Sequence, residues 1–157
     1  MKAATLNELK KELLELPQQN VVELCLRLAK FKKESKEWLT YLLFEAHDEQ
    51  AYVQGVKQEI DSQFEYINTS TMYLAKKSLR KILRITNKYI KYSDSDQTAP
   101  ELLIYFCLKL KASGIPVNKS TALSNLYEMQ LKKINKYIDG LHEDYQYDFR
   151  REVETLR

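Results

Sequence analysis

Apolar residues recur along this chain at three- and four-residue steps almost from end to end, the spacing that lines up one face of an α-helix. Leu6, Leu9, Leu13 and Leu16 define a first helix, and Thr5 with Glu8 has the spacing of a capping box at its start. Pro17 breaks that run. A second helix follows with Val21, Leu24, Cys25, Leu28 and Phe31 on one side, and Asn20 with Glu23 as its expected cap. The segment 38–44, WLTYLLF, is apolar on nearly every side, and such helices are expected at the centre of a core.

The pattern continues in the same way. Asp48 is placed to cap a fourth helix with Val53, Val56, Ile60, Phe64 and Ile67 inward, closed by the polar cluster 68–71. A long fifth helix spans about 71–92, and residues 93–97 form a flexible loop. Thr98 and Glu101, again at capping-box spacing, open the apolar helix 102–108, which Gly114 and Pro116 stop. A seventh helix carries Leu123, Leu126, Tyr127, Leu131, Ile134 and Ile138 and ends near Gly140. The eighth carries Tyr145, Phe149, Val153 and Leu156.

The expected fold is therefore all-α. About eight helices pair into antiparallel hairpins within a single domain over 1–157. Hairpins of this length favour an irregular α–α superhelix of the HEAT kind, with a compact orthogonal helical bundle as the alternative. The one internal echo is short: Asn87-Lys88-Tyr89-Ile90 recurs as Asn135-Lys136-Tyr137-Ile138.

Composition sharpens this picture without changing it. Only three glycines and three prolines occur, too few to punctuate a strand-rich fold. A chain of 157 residues buries enough surface to fold without a metal or disulfide. Cys25 and Cys107 both lie in apolar stretches and read as reduced core thiols. With no signal-peptide pattern and no long uncharged run, the expectation is a cytoplasmic protein off the membrane. The sequons at Asn68 and Asn118 then carry no weight, and both sit where a turn or a cap is needed.

Charge adds the one feature that stands out. The net charge is only +3, but residues 71–92 contain seven cations and no acid, whereas 47–70 contain five acids and one lysine. On a helical wheel Lys77, Arg80, Lys81, Arg84, Lys88 and Lys91 fall within an arc of about 100°, opposite the apolar face. Like charges at 77/81, 80/84 and 84/88 each cost a few tenths of a kcal/mol. Acids on a neighbouring helix relieve that cost, or the row meets an acidic protein or nucleic acid. Lipid ranks last, because the apolar face is committed to the core. Tyr73, Tyr89 and Tyr92 are the aromatic rings available for base stacking, with Tyr89 leaning towards the core.

Recognisable reaction chemistry is missing from the pattern. His47-Asp-Glu49 and His142-Glu-Asp144 place neighbouring side chains about 100° apart, so they do not converge on one metal ion. Acids there suit the positive end of a helix. Asp94-Ser-Asp96 lacks the glycine and the closing glutamate of a calcium loop. No phosphate loop, nucleophile elbow or cofactor motif occurs. Tyr145, Tyr147, His142 and Arg150 are boundary residues of the last helix that also suit a contact patch. The expectation is a non-catalytic helical protein–protein interaction module without cofactor or metal. Nucleic-acid binding through the basic row is the alternative, and an enzyme or small-ligand site is the third reading.

Overall fold

The computed structural model describes residues 1–157 and is all-helical, with no strand. The eight helices are α1 (Leu6–Glu15), α2 (Gln18–Phe31), α3 (Lys33–Thr40), α4 (Glu49–Glu65), α5 (Met72–Tyr92), α6 (Thr98–Ala112), α7 (Thr121–Asp139) and α8 (Glu143–Glu154). A π turn, Tyr41–Glu45, continues α3, and a single 3-10 turn, Val117–Lys119, precedes α7. The chain divides into two compact units, Met1–Phe44 and Glu45–Arg157.

Local signals place the helix ends. Thr5 and Glu8 form the reciprocal capping box, with Glu8 accepting from the Thr5 amide at 2.7 Å. Hydrogen bonds from the Thr5 amide and then the Thr5 hydroxyl hold the Glu8 carboxyl below its ordinary value. Asp48 accepts from the Ala51 amide, Thr71 from Leu74 and Ser120 from Leu123. Asn68 accepts from the amide and hydroxyl of Ser70, the turn expected between α4 and α5. Gly114 ends α6 at φ 73°, a left-handed conformation that only glycine adopts cheaply.

Two expected caps are not made. The second helix starts at Gln18, with Pro17 as an N-cap that makes no side-chain bond, so Asn20 and Glu23 lie inside it. The sixth is capped by Gln97. The Thr98 hydroxyl, in a buried position, donates to Glu49 instead, and Glu101 reaches Lys57 at 2.6 Å. Tertiary partners outbid the local box.

The second unit is a helical bundle with one core, the alternative rather than the favoured superhelix. α6 is its axis and touches α4, α5, α7 and α8. Leu102, Leu103, Phe106, Cys107 and Leu110 are completely buried along it. Val53, Val56 and Ile60 close over it from α4, and Phe64 meets Phe106 at a ring distance of 5.7 Å. Leu79 and Ile82 come from α5, Leu123, Ile134 and Ile138 from α7, and Val153 from α8. At the rim, Tyr105 donates to Asp61, and Tyr127 to the carbonyl of Leu156.

The first unit is a different object. α2 packs on α3, yet no residue of α1, α2 or α3 is buried. Leu6 is 85% exposed, Leu28 67% and Phe31 79%. This corrects the expectation for 38–44, where Trp38 is 48% exposed and Leu42, Leu43 and Phe44 also face solvent; only Tyr41 is buried there. Cys25 is likewise an exposed thiol rather than a core one, while Cys107 is buried as expected. Burial alone pushes the Cys107 thiol up to about 12. Tyr66 projects into solvent past the end of α4.

Candidate functional site

The basic row on α5 forms as the wheel predicts. Ala75, Leu79, Ile82, Leu83 and Thr86 turn inward, and the opposite face carries exposed Lys77, Arg80, Lys81, Arg84 and Lys91. Lys88 is half-buried, its ammonium 4.7 Å from the centre of the Tyr89 ring. Of the three candidate stacking rings only Tyr73 is free to act. Tyr92 is buried and meets Tyr89 edge to face at 6.1 Å, and the Tyr89 carbonyl accepts from Tyr52. Tyr73 is 67% exposed at the start of the row.

The acids of α4 do not pair with the five exposed cations of this row. Asp61 pairs with Lys109 of α6 at 2.8 Å and accepts from Tyr105. Glu49 takes the hydroxyls of Ser93 and Thr98. Glu59 accepts from Gln63 on its own helix. The ion pairs Lys57–Glu101, His142–Asp144 and Arg150–Asp139 likewise use other cations. Lys77, Arg80, Lys81, Arg84 and Lys91 therefore stand without a carboxylate partner. No acid occupies the first turn of α5, so the positive end of its dipole adds to the row instead of being offset.

At its C-terminal end the row opens into a hollow of about 420 Å³ lined by Lys91, Asp96, Lys136 and Tyr137, with Ile90 and Ala99 as its floor. Wheel reasoning on α5 alone missed Lys136 and Tyr137. The signal available was the repeated Asn-Lys-Tyr-Ile tetrapeptide. In both copies the asparagine side chain donates to the carbonyl four residues back, Asn87 to Leu83 at 2.7 Å and Asn135 to Leu131 at 2.8 Å. One copy supplies Ile90 to the hollow and the other Lys136 and Tyr137.

A second hollow, of about 450 Å³, lies among α4, α6 and α8 and holds Lys57, Glu101, Tyr105, Tyr145, Asp148 and Glu152. One ion pair crosses it. Lys57 is paired with Glu101, and Lys57 and Lys109 both lie over the Tyr105 ring. Desolvation, then Glu101, raise the Glu152 carboxyl; desolvation, then Asp61, raise the Tyr105 hydroxyl. No nucleophile with an adjacent base lines it.

The last helix splits its expected contact patch. Tyr145 faces this second hollow, Arg150 is held by Asp139, Tyr147 lies under Arg151, and His142 caps α8 by accepting from Asp144. No group of three or more His, Cys, Asp and Glu side chains is placed to hold a metal ion. No helix is long and apolar enough to cross a membrane. No family model, curated protein or solved structure matches the chain.

Proposed function

We propose that this chain is a non-catalytic helical module that engages another protein through the apolar faces of its first unit. One observation carries the reading. Fourteen large apolar side chains between Leu6 and Phe44 are more than a third exposed, while α1, α2 and α3 bury none. Contiguous apolar patches on monomers rarely exceed a few hundred Å², and larger ones mark contact surfaces. The i, i+3, i+7, i+10 spacing of Leu6, Leu9, Leu13 and Leu16, and of Val21, Leu24, Leu28 and Phe31, is that of helices laid into a groove or against other helices. The partner accordingly presents an apolar, helix-receiving surface.

A photo-crosslinking residue at Phe31, in the full chain expressed in its own cells, tests this reading. The expected result is one dominant protein adduct that Leu28→Asp abolishes and that the same crosslinker at exposed Tyr66 does not form. Equal, diffuse labelling from both positions overturns the reading.

A further inference from the structure

We infer that the basic row of α5, together with the hollow at its end, is a binding track for single-stranded nucleic acid. The row runs from Lys77 to Lys91, about 21 Å at 1.5 Å per residue. It presents Lys77, Arg80, Lys81, Arg84 and Lys91 to solvent without partners, and Lys136 of α7 continues it into the hollow. This arrangement works against the fold's own stability. Two i,i+4 repulsions, 77/81 and 80/84, stand without an acid beside them, and no acid occupies the first turn of the helix. A polyanion laid along the face reverses the sign of every one of those terms.

The choice among polyanions rests on the aromatics. An exposed ring stands at each end of the row, Tyr73 at its start and Tyr137, 40% exposed, in the hollow. Cations that follow a phosphate backbone, combined with rings on which bases stack, are how single strands are held without sequence preference. A duplex keeps its bases stacked on one another and leaves these rings without a role. An acidic peptide needs the cations but not the rings. A lipid surface needs free apolar side chains among the cations, and on α5 only Met72 and Tyr73, at its start, are more than a third exposed. Asp96 also lines the hollow and pairs with neither lysine; it disfavours a phosphate at its own edge, so the phosphates keep to the Lys91–Lys136 side.

The decisive variant is Lys77→Glu with Arg84→Glu. It converts the 77/81, 80/84 and 84/88 repulsions into attractions, so the protein should melt no lower than the parent. Binding of a labelled 20-nucleotide oligo-dT and oligo-U is read by fluorescence anisotropy between about 50 and 200 mM salt, alongside a duplex of equal length, polyglutamate and phosphatidylserine vesicles. The expected slope of log K on log salt is about −3 to −4, at about 0.7 per phosphate for four to six contacts. The double variant should lose about tenfold or more in affinity with its helicity intact, since two of those contacts become repulsive. Tyr73→Phe should bind as the parent does, and Tyr73→Ala should lose roughly fivefold or more with the salt slope unchanged. Absence of strand binding at low salt overturns the inference. So does equal or tighter binding of the duplex, polyglutamate or vesicles, or indifference to Tyr73→Ala.

Discussion

α6 and α2 are both rich in leucine, both carry a cysteine, and both show apolar residues at helical spacing. They end in opposite environments. α6 is enclosed by four neighbours and buries Leu102, Leu103, Phe106, Cys107 and Leu110 completely. α2 has α3 beside it and keeps Leu24, Leu26, Leu28 and Phe31 in solvent. Periodicity shows that a segment will be helical and which side wants to leave water. What covers that side is a property of the assembly, and within the first unit α1, α2 and α3 do not supply the cover.

Truncation should break the comparison most visibly. Phe106→Ala removes a ring from the centre of the bundle and should cost about 3–5 kcal/mol. Leu28→Ala should cost under about 0.5 kcal/mol in the isolated chain, as surface changes do. Urea melts of the two variants check this pair; a large loss for Leu28→Ala would mean that its face is covered after all.

The two thiols sharpen the contrast through pH. The folded Cys107 thiol is raised to about 12 from an ordinary 9.0, so the folded state holds its proton where the unfolded chain gives it up. Stability is then full below pH 9 and falls as pH climbs towards 12. Tyr127, also raised to about 12 by burial first, adds to the same alkaline limb. Melting temperatures from pH 8 to 11 should fall less steeply in Cys107→Ala, after allowing for its lower starting point, and unchanged in Cys25→Ala.

The smallest effect is kinetic. A disulfide-exchange reagent at neutral pH should label Cys25 within seconds to minutes and reach Cys107 only at the rate of opening of the bundle. Two equally fast thiols would indicate a loose second unit.

Much of the second unit is legible from the residues because local and tertiary demands agree there. Asp48, Thr71 and Ser120 cap where they should, and Val53, Val56, Ile60, Leu79, Ile134 and Ile138 turn inward. Legibility fails where a long-range partner competes. Thr98 leaves its capping role for Glu49, a residue 49 positions away that no local rule connects to it. It fails again at 38–44, where an all-round apolar segment implies a core but carries no information about whether one surrounds it. The basic row itself was readable from the wheel. That Asp61 gives its charge to Lys109 of α6 was not, because it depends on which face α4 turns to each neighbour.

Aromatic residues are divided between the two units in a way that has an optical consequence. The single tryptophan, Trp38, is half in water on α3, while ten of the eleven tyrosines belong to the second unit. Excitation at the red edge of the absorption band therefore interrogates the first unit alone, and tyrosine absorbance interrogates the bundle. The protein carries two spectrally separate reporters without any label, so an occupant settling on the first unit and the melting of the second can be watched in the same cuvette.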